Sequence, residues 1–132
     1  MTDSDYQRLA GFRFMLRQFL DFSAQAARAQ GLTPPQHQAL LVIRALAPAG
    51  NVTIAEVARW LISRHHSTVE LVDRLAELGL VRRRVDTADR RRVSLLLTPR
   101  AARILEKLSA THRDELRRVG GALREMLDAL GC

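Results

Sequence analysis

The sequence predicts a mainly α-helical fold with one small β-hairpin, and three observations predict it. Apolar residues recur at helical spacing through most of the chain, the pattern changes to period two only around residues 80–86 and 92–97, and eleven arginines crowd between residues 59 and 103. At 132 residues the chain fits one domain whose modest core would be helped by pairing with a second copy.

From Tyr6 to about Ala29 the residues Leu9, Phe12, Leu16, Phe19, Leu20, Ser23, Ala26 and Ala27 form a helical stripe ringed by Arg8, Arg13, Arg17 and Arg28. All four phenylalanines (12, 14, 19 and 22) lie in this segment, so the helix is apolar beyond one face and calls for a large partner surface, either the core or another subunit. Gly31-Leu32 ends it. Thr33 then caps the next helix, with Pro34 in its first position and Gln36 closing a capping box, and Ala39, Leu40, Ile43 and Leu46 or Ala47 form the inner stripe. Pro48 to Asn51 reads as a loop. Thr53 to Glu56 repeats the capping box, Val52 and Val57 are placed to staple the entry, and Val57, Ala58 and Leu61 point inward. A turn around Ile62-Ser63 joins this short helix to a second, making a helix-turn-helix.

In the second helix Val69, Leu71, Val72, Leu75, Ala76 and Leu78 share one side, leaving His66, Ser67, Glu70, Asp73 and Arg74 on the other. Gly79 supplies the stop. Val81 and Val85 are in phase on one predicted strand, and Val93, Leu95 and Leu97 on the next. The polar loop Thr87-Ala88-Asp89-Arg90-Arg91 between them carries two of the hairpin's six arginines. A helix feeding a basic two-stranded hairpin is the outline of a winged helix, in which one element enters a major groove and the other reaches the neighbouring backbone or minor groove. Thr98-Pro99 opens a long helix carrying Ala101, Ile104, Leu105, Leu108, Thr111, His112, Leu116 and Val119; Gly120-Gly121 is expected to break it before a last short helix from Ala122 to Leu130.

The run DRLAELGLVRRRVDTADRRRVSLLLTPRA resembles the signature of MarR-type transcription regulators. Its most specific parts are Asp73-Arg74-Leu75, Gly79-Leu80-Val81 and Asp86-x-x-Asp89-Arg90-Arg91 at the family's spacing, and Leu32-Thr33-Pro34-Pro35-Gln36 matches the opening of that family's second helix. The likeness runs from about Leu9 to Leu127. It implies one domain over 1–132, a winged helix-turn-helix lobe at about 33–98, and terminal helices at about 5–30 and 99–130 that interlock into a twofold homodimer.

Charge agrees with that likeness. The eleven arginines between 59 and 103 face five carboxylates, so all but one unit of the net +7 lies in this third of the chain, favouring a polyanionic partner. The single cysteine, Cys132, permits neither an intrachain disulfide nor a cysteine-rich metal site, which suits a cytoplasmic protein. No apolar run approaches the length of a membrane span, and the start lacks a signal-peptide pattern. Paired carboxylates, a Gly-rich phosphate loop and a nucleophile with its base are all missing at recognisable spacings, so an enzyme is not expected.

Double-stranded DNA as partner singles out residues that neutralise phosphate or reach base edges. Ser63, His66, Ser67, Glu70 and Arg74 project from the free face of the second helix, Arg64 and His65 stand near its N-terminus, and Thr68 falls on the apolar side as a packing residue. Glu70 departs from the family, which often has a non-acidic residue there; its carboxylate either accepts from cytosine N4 or is left to solvent or an arginine. By the resemblance, Arg91 enters the minor groove, Asp89 orients it, Arg90 shares groove or phosphate contact, and the Asp73-Arg74 pair braces the helix against the wing. Adjacent His65 and His66 diverge by 100° with no third ligand at a supporting spacing, so neither a metal nor another cofactor is expected. His37 and His112 read as helix or interface histidines, and Trp60, where the family more usually has leucine, as core or as a stiffener near DNA. The resemblance also implies a small-molecule effector, often aromatic or anionic, bound between the dimer helices and the DNA-binding lobe; Arg13, Arg17 and His37 are the candidates to face that crevice. The reading is therefore a dimeric, sequence-specific repressor of a pseudo-palindromic operator, against the alternative of a winged-helix protein-interaction module whose arginines merely keep it solvated.

Overall fold

Four of the five helices open on a threonine that accepts a backbone N–H, and the exception is the helix that matters most. The computed structural model describes Met1 to Cys132, with α1 at Asp3–Ala29, α2 at Pro34–Leu46, α3 at Ile54–Leu61, α4 at His65–Glu77, β1 at Val81–Val85, β2 at Val93–Leu97 and α5 at Pro99–Ala129. Thr33 and Gln36 close a capping box at α2, with bonds of 3.0 and 3.3 Å, and Thr53 and Glu56 do so at α3, as their spacing predicts. A third box, Thr2 with Asp5, starts α1 three residues earlier than the apolar stripe indicates. Thr98 caps α5 through the Ala101 N–H at 3.2 Å. At α4 the N-cap is Arg64, with no side-chain cap, so its leading N–H groups stay open.

The core gathers under the helix-turn-helix. Leu40 and Ile43 of α2, Val57 of α3, Val72 and Leu75 of α4, Leu80, Leu95 of β2 and Leu105 of α5 form one buried cluster, and Val52 belongs to it as well. Leu46, rather than the exposed Ala47, completes the α2 stripe. Thr68 is fully buried, as its phase predicts, and its hydroxyl donates to the Arg64 carbonyl at 3.0 Å. Truncating a side chain as enclosed as Leu75 would cost about 2–5 kcal/mol.

The two strands pair antiparallel, Val81 opposite Leu97 and Val85 opposite Val93. Period two puts Val81, Arg83, Val85 and Leu95 on one face and Arg82 and Arg84 on the other. Val81 is buried, yet Val85, in phase with it, is 51% exposed, because the hairpin runs past the end of the core. The base of the hairpin is anchored tightly: the Thr98 N–H donates to Leu80 O at 3.0 Å, its hydroxyl to Gly79 O at 2.8 Å, and Arg100 to Leu78 O at 2.8 Å. Gly79, at φ +71°, makes the reversal that delivers these carbonyls.

Two expectations are corrected. The segment after α2 is not plain loop but includes a 3-10 turn over Ala47–Ala49. More consequentially, α5 runs unbroken through Gly120 and Gly121 for 31 residues. Each glycine costs about 1 kcal/mol relative to alanine, which helix-forming flanks and packing against α1 outweigh. Gly11 of α1 lets Met126 of α5 approach, since a Cβ there would lie 3.3 Å from the Met126 terminal methyl. Against α5, α1 buries only Ala27 fully; Leu9, Phe14, Leu16 and Leu20 stay exposed.

Where α1, α2 and α5 meet, His112 ties them together. Its Nδ1 lies 2.6 Å from the Leu108 carbonyl, which can only accept, so the proton sits on Nδ1; Nε2 lies 2.7 Å from the Ser23 hydroxyl. Phe19 and Phe22 meet the ring edge-on at 5.9 and 5.5 Å, and the buried His37 ring lies 4.9 Å away. Burial, and then the neighbouring His112, hold the His37 pKa below its ordinary 6.5. A folded-state pKa below the unfolded one means that acid favours the unfolded chain: stability at this position is complete above 6.5 and drains as pH falls from there through the folded value. The expected outcome is a melting temperature that drops between about pH 7.5 and about pH 5.5, with a shallower drop in His37→Gln, followed by circular dichroism.

Candidate functional site

The outer side of α4 and the hairpin form one continuous basic surface. Ser63, Arg64, His65, His66, Ser67, Glu70 and Arg74 are all exposed there, while Thr68, Val72 and Leu75 hold the opposite side in the core. The first turn of α4 combines open N–H groups with Arg64, a setting that favours an anion. Arg74 binds Glu77 at 3.1 Å along its own helix. Glu70 has no arginine within 4.0 Å, which leaves its carboxylate free on the surface.

The brace between helix and wing uses Asp73 and a strand arginine rather than Arg74. Asp73 forms an ion pair with Arg83 of β1, the strand residue whose side faces α4. Arg82 and Arg84, on the other face, have no carboxylate partner. Sequence alternation placed Arg83 apart from its neighbours but offered no means of choosing its partner ten positions away.

At the hairpin tip, Asp86 accepts the Ala88 N–H at 2.8 Å, folding the loop back on itself. Asp89 then accepts from the Arg91 backbone N–H and from Arg91 Nε, both at 3.1 Å, and more weakly from a terminal guanidinium nitrogen at 3.4 Å. Those bonds to Arg91 hold the Asp89 carboxyl below its ordinary range. Arg91 is thus aimed by its partner yet remains almost wholly in solvent, and Arg90 beside it is exposed and unpaired. Of the eleven arginines from 59 to 103, only Arg74, Arg83 and Arg91 have carboxylate partners.

Behind this surface lies a cavity of about 690 Å³ between α1, α2 and α5. Phe19, Leu20, Leu41 and Leu116 give it apolar walls, and His37, His112 and Arg113 supply its basic groups; no carboxylate lines it. Of the three residues the sequence reading assigned to such a crevice, His37 takes part, whereas Arg13 and Arg17 point to solvent elsewhere on α1. Helical phase turns Phe19, Leu20 and Ser23 of α1 to the cavity, and Arg113 comes from α5, one residue after His112. No helix of the protein is long and apolar enough to cross a membrane.

Comparison with known proteins bears on this geometry. A model of the MarR family matches residues 30–92, spanning α2 to the wing tip. An uncharacterized HTH-type transcriptional regulator of Bacillus subtilis, YsmB, is 30% identical over 121 residues, covering 89% of this chain and 81% of that protein. Among solved structures, a mutant of S. aureus MepR bound to oligodeoxyribonucleotide aligns with a TM-score of 0.72 at 21% identity, covering 95% of this chain and 97% of that one. S. aureus MepR bound to ethidium bromide aligns with a TM-score of 0.66 at 21% identity, over 98% and 97% of the two chains. The architecture is therefore the winged helix-turn-helix with long terminal helices, and the chain belongs to the MarR family of transcription regulators.

Proposed function

We propose that the chain is a homodimeric, sequence-specific double-stranded DNA-binding repressor, whose two lobes, at about 33–98 of each single-domain chain, read the half-sites of a pseudo-palindrome about one helical turn apart. The observation that carries this reading is the uncapped N-terminus of α4, set beside unpaired arginines on a hairpin that the Asp73–Arg83 pair fixes to the same helix. In it, Ser63, Arg64, His65, His66 and Ser67 meet phosphates and base edges, Glu70 accepts from a cytosine amino group, and Arg74 reaches the backbone. Arg91, oriented by Asp89, enters the minor groove, with Arg90 on the groove wall or phosphate. The exposed apolar side chains of α1 support burial of the terminal helices against a second copy.

Release by a small molecule belongs to the same reading. The cavity joins the terminal helices to α2, so an occupant would bias the angle between lobe and dimer helices. Apolar walls with basic groups and no carboxylate suit a hydrophobic organic anion.

Fluorescence anisotropy against the gene's own upstream duplex and a scrambled duplex, across salt, tests DNA recognition. Preference for the native duplex is expected, and Arg91→Ala should weaken it by about 1–3 kcal/mol; equal binding with a steep salt slope would mark a general DNA binder, and no binding to either duplex at low salt would favour a protein-interaction module instead. Sedimentation should give the mass of two chains, and Leu20→Asp, at a side chain 62% exposed in the single chain, should shift the protein toward monomer. In thermal-shift assays, arylcarboxylates are expected to raise the melting temperature more than aromatic cations, a preference that Arg113→Glu should reverse.

A further inference from the structure

The turn between α3 and α4 holds a side chain that neither packing nor backbone preference accounts for. Ser63 N–H donates to Ala58 O at 3.0 Å and Ile62 N–H to Arg59 O at 3.2 Å, the paired bonds of a Schellman stop. The residue between helix and exit must then be left-handed, and Ile62 is, at φ +52° and ψ +47°. It is the one non-glycine residue in the chain with positive φ. Glycine serves at the equivalent stops of α1 and α4, where Gly31 and Gly79 have φ of +77° and +71°. A β-branched side chain is the worst suited to this conformation, because its Cβ crowds the following carbonyl.

Strain of this kind is usually offset by packing, but Ile62 is 95% exposed. Its location is more informative. Ile62 stands two residues before the N-cap of α4, at the N-terminal approach to the helix that the DNA-binding reading places in a major groove, and is followed by Ser63 and Arg64. Among the groups a major groove displays, the one that rewards an aliphatic side chain is the thymine C5-methyl. An isoleucine held in full solvent at the groove-entering end, at a cost in backbone strain, fits a contact completed by the DNA.

We propose that Ile62 is a specificity-determining residue that packs against a thymine C5-methyl in each half-site; this rests on the DNA-binding reading above. The aliphatic contact reads the thymine methyl, a group that the charged and hydrogen-bonding side chains around it do not recognise.

The test begins by selecting bound duplexes from a randomised library with the full-length protein, then replacing each thymine of the selected site by deoxyuridine, which removes only the methyl. Wild type should lose affinity about three- to fivefold at one thymine per half-site, the worth of one buried methyl-sized group. Ile62→Gly and Ile62→Asn, whose residues accept the left-handed conformation, should melt a few degrees higher than wild type yet bind thymine and deoxyuridine sites equally. If a selected site binds tightly but no deoxyuridine substitution lowers affinity, or the loss persists in both variants, the assignment of Ile62 is overturned while the DNA-binding reading stands. If selection enriches no sequence, both fall together.

Discussion

The buried ridge of α4 is the constraint on which the rest depends. Thr68, Val72 and Leu75 are sealed in the core, and because a helix is rigid, their burial fixes the direction of every residue on the opposite side. A helix of 13 residues with a polar outer half could not persist alone in water. It holds through its narrow inner stripe and through the hydrogen bonds that fasten Leu78, Gly79 and Leu80 to the start of α5. The same bonds fix the hairpin's base against the end of the helix.

Polar interactions then refine what apolar packing sets. Asp73 and Arg83 join the outer part of α4 to the first strand, and Asp89 holds Arg91 in one orientation at the tip. Exposed pairs of this sort add little stability. Their effect is geometric: they limit the conformations of long side chains, so less entropy is lost when those side chains meet a partner. The other four helices are closed at their N-termini by threonine, whereas at α4 no side chain caps the leading N–H groups.

The junction of α1, α2 and α5 differs in character. His112 bridges a carbonyl on its own helix and a hydroxyl on α1, and His37 reaches toward it from α2. A cavity bounded by the same elements sits between the lobe and the terminal helices. Basic groups set among apolar walls distinguish this junction from the wholly packed centre beneath α4.

The sequence by itself determined whatever is decided within a turn or two of chain. The boxes at Thr33 and Thr53, the stop at Gly79 and the inward phase of Thr68 were all legible, because each is set within one local pattern, and the family resemblance implied the Asp89–Arg91 pair. Only the tertiary structure decided that α5 passes through Gly120-Gly121, since propensity is a small local cost that long-range packing overrides. It chose Arg83 as the partner of Asp73, put Arg113 rather than Arg13 or Arg17 beside the cavity, and joined His112 to Ser23 across 89 positions. Such contacts depend on where whole helices come to rest, which no spacing within a helix encodes.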